Sequence, residues 1–565
     1  MVALGARALA VAVNDRFKLH GLSLMGDAMR ALLAHLETTT ASEHDAIDAV
    51  LKVLSATELS SSVVKKEMIE SAIETMLEGV GVAGGGVESD DREATTTTTT
   101  TTTTTPMMMD GGALASVPTD GLTVCDAFKT KRYAYDGQRR MFDEVSKAGG
   151  IECEAGSKID LYRDRFLLLQ QRLNRSRMFS QPTLTTSARQ GLTLSSIQSL
   201  LGEVKESKLI MGCLSQLEDG VFYVEDLTGT VRVDLTACEK DVGLFTENCI
   251  VIAEGEVRSD GVFEVLQLMS PPSESRDETR KATNALDFFG AGHILRPNEL
   301  EELEQKEMDL VGERFIVISD VWLDQQRTFD RLEKMFDAFD AQDDVPGLIV
   351  FMGDFTSTPF GATHYDFKAY TAGFEKLAEL LQDFPRLRQE SRFVFVPGPG
   401  DPGLGCALPR PALQPSLVGD FMDKVPRAQF ASNPVKIRYY SQDLVFFRED
   451  LQAKMRRNCL IPPDDSKLDA TENAAPTFQH LAATLVKQAH LCPLPITQTP
   501  IYWEFDHSLW LYPAPNAVFL GDRSEHQATT NFEETCLSNP GSFSADGSFL
   551  VYWPATGETQ FSAVP

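Results

Sequence analysis

Three carboxylates follow three apolar runs in the second half of the chain: FIVIS leads into Asp320, LIVFMG into Asp354 and RFVFVPGPG into Asp401. Acids at the ends of neighbouring strands can converge on a cation. Clamping two divalent ions about 3.5 to 4 Å apart and activating a water between them needs oxygen and imidazole donors around both ions. The positions beside these acids supply few. Trp322 carries only an indole N–H, Pro399 has no side-chain donor or acceptor, and Gly400 has no side chain. Ser357 adds one hydroxyl. Such a set falls short of a two-ion hydrolase and leaves at most a weak single-ion site. The simpler role for Asp320 and Asp354 is to accept backbone N–H bonds in tight strand-end loops, with Trp322 filling the space between.

The elements that carry these residues are legible as α/β. FIVISDVWL, GLIVFMGDF and RFVFVPG read as buried strands, separated by the amphipathic helices RTFDRLEKMFDAF and YTAGFEKLAELLQDFP. VKIRYYSQDLVFFRED, IYWEFDHSLWLYPAPNAVFLGD and GSFLVYWPATGETQFSAV read as further sheet. Between Leu200 and Met269, short alternating runs are separated by turn signals at Asp219-Gly220, Thr228-Gly229 and Asp260-Gly261, which predicts a small closed barrel. Phe222 and Tyr223 fall on opposite faces and Lys208, Arg232 and Arg258 are scattered, so packing is favoured over single-strand binding. Upstream, SKIDLYRDRFLLLQQRLNRSRMF predicts a long helix that buries Leu161, Phe166, Leu169 and Leu173. The arginines around that stripe, Arg163, Arg165, Arg172, Arg175 and Arg177, suit a face docked on a neighbouring domain better than a DNA contact.

From Leu19 to Gly79 the three-and-four spacing predicts a small helical bundle, and the tract around Thr95 to Thr105 predicts a disordered tether. The 565 residues exceed what one core usually spans. A formal charge of −30 opposes general attraction to nucleic acid, and nine scattered cysteines without a CxxC pair suit reduced thiols rather than a zinc site. No apolar stretch approaches the roughly 20 residues that span a bilayer, the first residues lack a basic leader, and no basic import tag stands out.

The layout of the second half resembles the calcineurin-like phosphoesterases, whose sites read Asp-x-His, Gly-Asp-x-x-Asp, Gly-Asn-His-Asp/Glu, an isolated His and Gly-His-x-His. Set against that pattern, Asp320 and Asp354 match, Trp322, Ser357, Pro399 and Gly400 replace ligands or the catalytic histidine, and His490 fits the isolated histidine. Asp522 and Ser524 stand where the last two histidines would be. The whole order also resembles the accessory B subunits of replicative DNA polymerases, the epsilon kind above all. YRDRFLLLQQRLNRSRMF, NALDFFGAG, LIVFMGDFTSTPFG, RFVFVPGPGDPG and IYWEFDHSLWLYPAPNAVFLGDRSE carry that likeness. The resemblance implies a multidomain α+β chain: an N-terminal helical domain (1–80), a Gly/Thr linker (81–119), a connecting segment with a long basic helix (120–190), an OB-fold β-barrel (191–290) and an inactive calcineurin-like αββα sandwich (291–565).

It also implies a nuclear, non-catalytic scaffold without cofactors. Its implied partners are the zinc-binding C-terminal module of the polymerase catalytic subunit, the replicative helicase through GINS, and small histone-fold subunits; contact with DNA is weak or indirect. Lys52, Lys65 and Lys66 are candidates for the N-terminal contact. The alternatives are a single-strand-binding barrel, a delta-type accessory chain and a residual metal-dependent phosphoesterase.

Overall fold

The computed structural model describes residues 121–565, apart from 148, 177–178, 180–191, 201–205, 284–285, 362–365, 469–473 and 525. Upstream it describes only 23–24, 32, 63–64 and 69, which belong to a separate compact unit, Met1–Met108. There β1 (Ser23–Leu24) pairs in parallel with β2 (Val63–Val64), and Leu32 and Ile69 are buried in helical turns. The periodicity predicted helix for both paired segments; β-branched valines at 63 and 64 favour the extended pairing found. The rest of the expected bundle, the threonine tract, Lys52, Lys65, Lys66 and Arg177 lie outside the described residues.

In the second unit two six-stranded sheets lie face to face. The first has the order β15 (Ala428–Phe430), β14 (Arg392–Val396), β13 (Leu348–Met352), β12 (Phe315–Ser319), β21 (Ser548–Trp553), β22 (Glu558–Ala563). Its first four strands are parallel, and all of β12 and β13 is buried, as expected of strands covered on both sides. The second has the order β19 (Ala528–Phe532), β20 (Thr535–Asn539), β18 (Ala517–Gly521), β17 (Gln442–Arg448), β16 (Val435–Tyr439), β3 (Leu122–Asp126). Alternate residues such as Val317, Val350 and Val394 meet Ile437, Phe446 and Phe519 between the sheets. Helices α2 (Gln326–Asp340) and α3 (Phe367–Gln382) cover the outer face of the first sheet; α4 (Leu451–Arg457) and α5 (Pro476–Gln488) cover the second. The result is four layers, helix, sheet, sheet, helix.

β3 belongs to the second sheet although it lies far upstream in the chain. The segment read as a connector supplies the edge strand of the second sheet, with Asp126 opposite Val435 and Leu122 opposite Tyr439. A hairpin, β4 (Tyr133–Asp136) with β5 (Met141–Glu144), follows.

The barrel is built from β6 (Ser207–Glu218), β7 (Val221–Glu225), β8 (Thr230–Asp234), β10 (Ile250–Val257) and β11 (Phe263–Met269), with the short β9 (Glu239–Lys240) beside β11. Antiparallel ladders run β10-β6-β7-β8, β11 joins β8 in parallel, and β11 pairs back to β10, which closes the ring. The three turn signals fall in the connections β6–β7, β7–β8 and β10–β11. Gly220 and Gly261 adopt φ of 75° and 84°, a region that glycine enters without a Cβ penalty.

Helix α1 (Gly156–Arg175) lies between barrel and sandwich, and Leu161, Phe166, Leu169 and Leu173 are all buried. Two of its arginines are buried as well. Arg165 forks onto Asp506 at 3.0 and 2.5 Å, and Arg172 donates to the carbonyls of Lys487 and of Pro271, the latter at 3.3 Å. Arg175 forks onto Glu274 at 2.9 and 2.6 Å, while exposed Arg163 meets Asp160 at 3.2 Å. Arg165, Arg172 and Arg175 thus build a docked face, and Arg163 stays on the exposed side of the helix.

Candidate functional site

Asp320, Asp354 and Asp401 do come together at the C-terminal ends of β12, β13 and β14, because parallel strands in register deliver their following loops to one edge. What lies between the first two is a pair of arginines. Arg448, the last residue of β17 and fully buried, reaches across from the second sheet. Its Nη2 donates to Asp320 Oδ1 at 2.8 Å and lies 3.6 Å from Asp354 Oδ2; its Nη1 donates to Asp450 Oδ1 at 2.9 Å. Nη1 also reaches the Gly521 carbonyl at 2.9 Å, and Nε reaches the Gly353 carbonyl at 2.5 Å. Arg523, with about a third of its side chain exposed, places Nη2 2.6 Å from Asp354 Oδ2 and 3.5 Å from Asp450 Oδ2. Asp354 therefore bridges two cations.

The field follows the geometry. Burial disfavours a charged Arg448, yet Asp320, Asp354 and Asp450 outweigh it and hold the guanidinium well above its usual range. Asp450 is held below the ordinary carboxylate range although burial opposes this, because Arg448 and Arg523 both face it. Burial first, and the Asp354 charge second, push Asp401 up to about 7; it accepts from the Gly398 and Phe355 amides and the Tyr370 hydroxyl. Asp320 adopts a φ of 56°, a left-handed conformation that aspartate enters more readily than most residues. Ser544 Oγ fixes it by donating to the Asp320 carbonyl at 2.6 Å.

The remaining candidate positions serve the backbone. The Gly400 amide donates to Asp354 Oδ1 at 2.8 Å, and a Cβ on Gly400 would stand 2.9 Å from the Asp354 carboxylate carbon, so a side chain enters here only if that carboxylate shifts. Pro399 is half-buried beside it. Ser357 donates to Asp324 at 2.5 Å. Asp522 accepts from the Gln452 amide at the start of α4 at 2.6 Å and from the amide and hydroxyl of Ser524 at 2.8 and 2.5 Å. Trp322 is half-buried, with its backbone N–H on Ser544 Oγ at 2.8 Å. The filling role given to Trp322 from sequence belongs to Arg448 and Arg523.

The imidazole of His490 is held by other partners. Nε2 meets Asp506 at 3.2 Å and Nδ1 accepts from the Cys492 amide at 2.9 Å, beside Arg165. None of these partners belongs to the aspartate cluster, and burial together with Arg165 pushes this histidine down to about 4. The donor set thus does not fit a pair of divalent ions: Asp320 and Asp354 are matched to guanidinium groups, Asp401 and Asp522 to amides and hydroxyls, and the imidazole is engaged elsewhere. Among the described residues, no three His, Cys, Asp or Glu side chains converge as metal ligands. Sequence reasoning missed Arg448 and Arg523. The signal was present in both cases, an arginine closing the fully buried run QDLVFFR and another inside GDRSE, directly after a candidate ligand position.

On the barrel, two of the three basic side chains Lys208, Arg232 and Arg258 face carboxylates. Lys208 lies 3.0 Å from Glu206, and Arg258 lies 3.1 and 2.9 Å from Asp234 and Asp260.

Comparison with known proteins agrees with this architecture. Residues 315–531 match the B-subunit family of DNA polymerases alpha and epsilon, 155–272 the OB-fold domain of DNA polymerase epsilon subunit 2-like proteins, and 6–76 the DNA polymerases epsilon N-terminal family. The DNA polymerase epsilon B subunit of Arabidopsis thaliana is 41% identical over 445 residues, 78% of this chain and 83% of the plant protein. The chain belongs to the B-subunit family of DNA polymerase epsilon. DNA polymerase epsilon subunit 2 of Bos taurus is 32% identical over 95% of both chains, and the Schizosaccharomyces pombe epsilon B subunit is 32% identical over 74% of this chain and 72% of its own. Membership in the epsilon family fits a barrel and sandwich joined by α1, and it sets aside the delta-type alternative.

Proposed function

We propose that this protein is a non-catalytic accessory subunit of a nuclear DNA polymerase epsilon complex, acting in DNA replication. In this reading the sandwich descends from a calcineurin-like phosphoesterase whose ligand positions have been lost. The barrel and sandwich hold the zinc-binding C-terminal module of the catalytic subunit, with small histone-fold subunits in the same complex. The N-terminal unit reaches the replicative helicase through GINS, and a chain that engages two partners raises the effective concentration of one beside the other. The observation that carries the non-catalytic part is Arg448 between Asp320 and Asp354, a cation without an open position for water or substrate.

Affinity capture of the tagged full chain from its own cells, with mass spectrometry, tests the assembly: the catalytic subunit should co-purify in stoichiometric amount, and its absence would refute the reading. Purified protein given Mn²⁺ should leave a phosphodiester substrate intact. Turnover that disappears in Asp354→Asn would establish the enzyme instead.

A further inference from the structure

We propose that Arg448 and Arg523 are internal counter-cations that do the structural work of a divalent ion pair, so that the strand-end loops of this site are held together without metal. The inference rests on the non-catalytic reading of the site but concerns its stability, which is measured separately. Five oxygens surround the Arg448 guanidinium: one from each carboxylate of Asp320, Asp354 and Asp450, and the carbonyls of Gly353 and Gly521. They come from the ends of β12, β13, β17 and β18, drawn from both sheets.

A bare ion in that place would gather oxygens by coordination. A guanidinium gathers them through a fixed fork of N–H donors, tethered by its own backbone and needing no supply from solution. The surrounding residues are shaped for it. A Cβ on Gly521 would stand 2.8 Å from Arg448 Cδ and 2.6 Å from Ser319 Oγ, so the side chain passes only because residue 521 is glycine. Arg523 then supplies the second positive charge, to the same Asp354 oxygen, Oδ2.

The test is thermal unfolding of the full chain. The wild-type Tm should be the same in a chelator and in Mn²⁺ or Mg²⁺. Arg448→Met, unbranched but uncharged, leaves the buried Asp320 carboxylate without its 2.8 Å partner and should lower Tm by roughly 3 to 5 °C. Millimolar guanidinium ion should restore part of the loss in Arg448→Ala, whereas the same concentration of sodium should not; simple loss of packing would respond to neither. A wild-type Tm that falls in chelator or rises with Mn²⁺, or an Arg448→Met protein as stable as the wild type, would overturn the proposal. If the Arg448 variants do not fold, the partly exposed arginine decides: Asp354→Asn should cost markedly less stability in an Arg523→Met background than in the wild type. Equal costs in both backgrounds would show no coupling between cation and carboxylate, and would overturn it as well. Phosphodiester turnover by the wild type would sink the non-catalytic reading whatever these Tm values are.

Discussion

A single Cβ atom at Gly400 would meet the Asp354 carboxylate at 2.9 Å, which makes this a sterically crowded position. Gly400→Ala is expected to cost about 1 to 3 kcal/mol, read by denaturant unfolding, as overpacking in a rigid site does. Arg165 is the corresponding residue in the second polar cluster, with its side chain and that of Asp506 both nearly sealed from water. Arg165→Ala should cost roughly 3 to 5 kcal/mol, because the Asp506 charge stays behind without its main partner. The imidazoles nearby make the same region sensitive to acid. His490 and His507 are each pushed down to about 4, chiefly by burial, from an unfolded value near 6.5. Between those two values the unfolded chain binds more protons than the native one, so stability rises with pH across this window. Their contribution is complete above about pH 6.5 and is lost as pH falls through 4. Calorimetry from pH 7.5 to about 4.5 should show Tm falling on the acid side, with a shallower slope in His490→Gln than in the wild type.

At the scale of elements, local pattern was enough wherever the deciding contacts are local. The buried stripe of α1 is set by spacing within one helix, and the barrel hairpins by turn residues beside alternating runs. The apolar runs ending in Asp320 and Asp354 were likewise readable as buried parallel strands. β3 was not readable, since Leu122–Asp126 finds its partner more than 300 residues away and nothing in its own five residues names that partner. The arginine-filled site was hidden for the same reason: Arg448 lies 128 residues from Asp320, and only the packing of one sheet on the other joins them. α1 offers an element-scale prediction. Leu169→Ala and Leu173→Ala each remove a fully buried side chain from the layer between barrel and sandwich. Each should cost about 2 to 5 kcal/mol, measured by chemical unfolding, whereas an exposed-face change such as Arg163→Ala should stay within about 0.5 kcal/mol.

Taken whole, the molecule carries a formal charge of −30, and two of the barrel residues that could hold phosphates, Lys208 and Arg258, already face carboxylates. Titration of a labelled single strand into the full chain at low ionic strength should therefore give no salt-sensitive anisotropy change, since few counterions would be released. Such a change, abolished by Arg258→Ala, would return the barrel to the nucleic-acid binders. Barrel and sandwich are also joined where a side chain of α5 pairs with the main chain of β10. The Gln488 side-chain amide accepts from the Ile250 N–H at 2.9 Å and donates to the Ile250 carbonyl at 2.8 Å, as a neighbouring strand would. That amide proton is consequently a built-in gauge. Its exchange with deuterated solvent clocks how often the two bodies part, and binding of any protein that clasps them together should slow the clock without touching Ile250 itself.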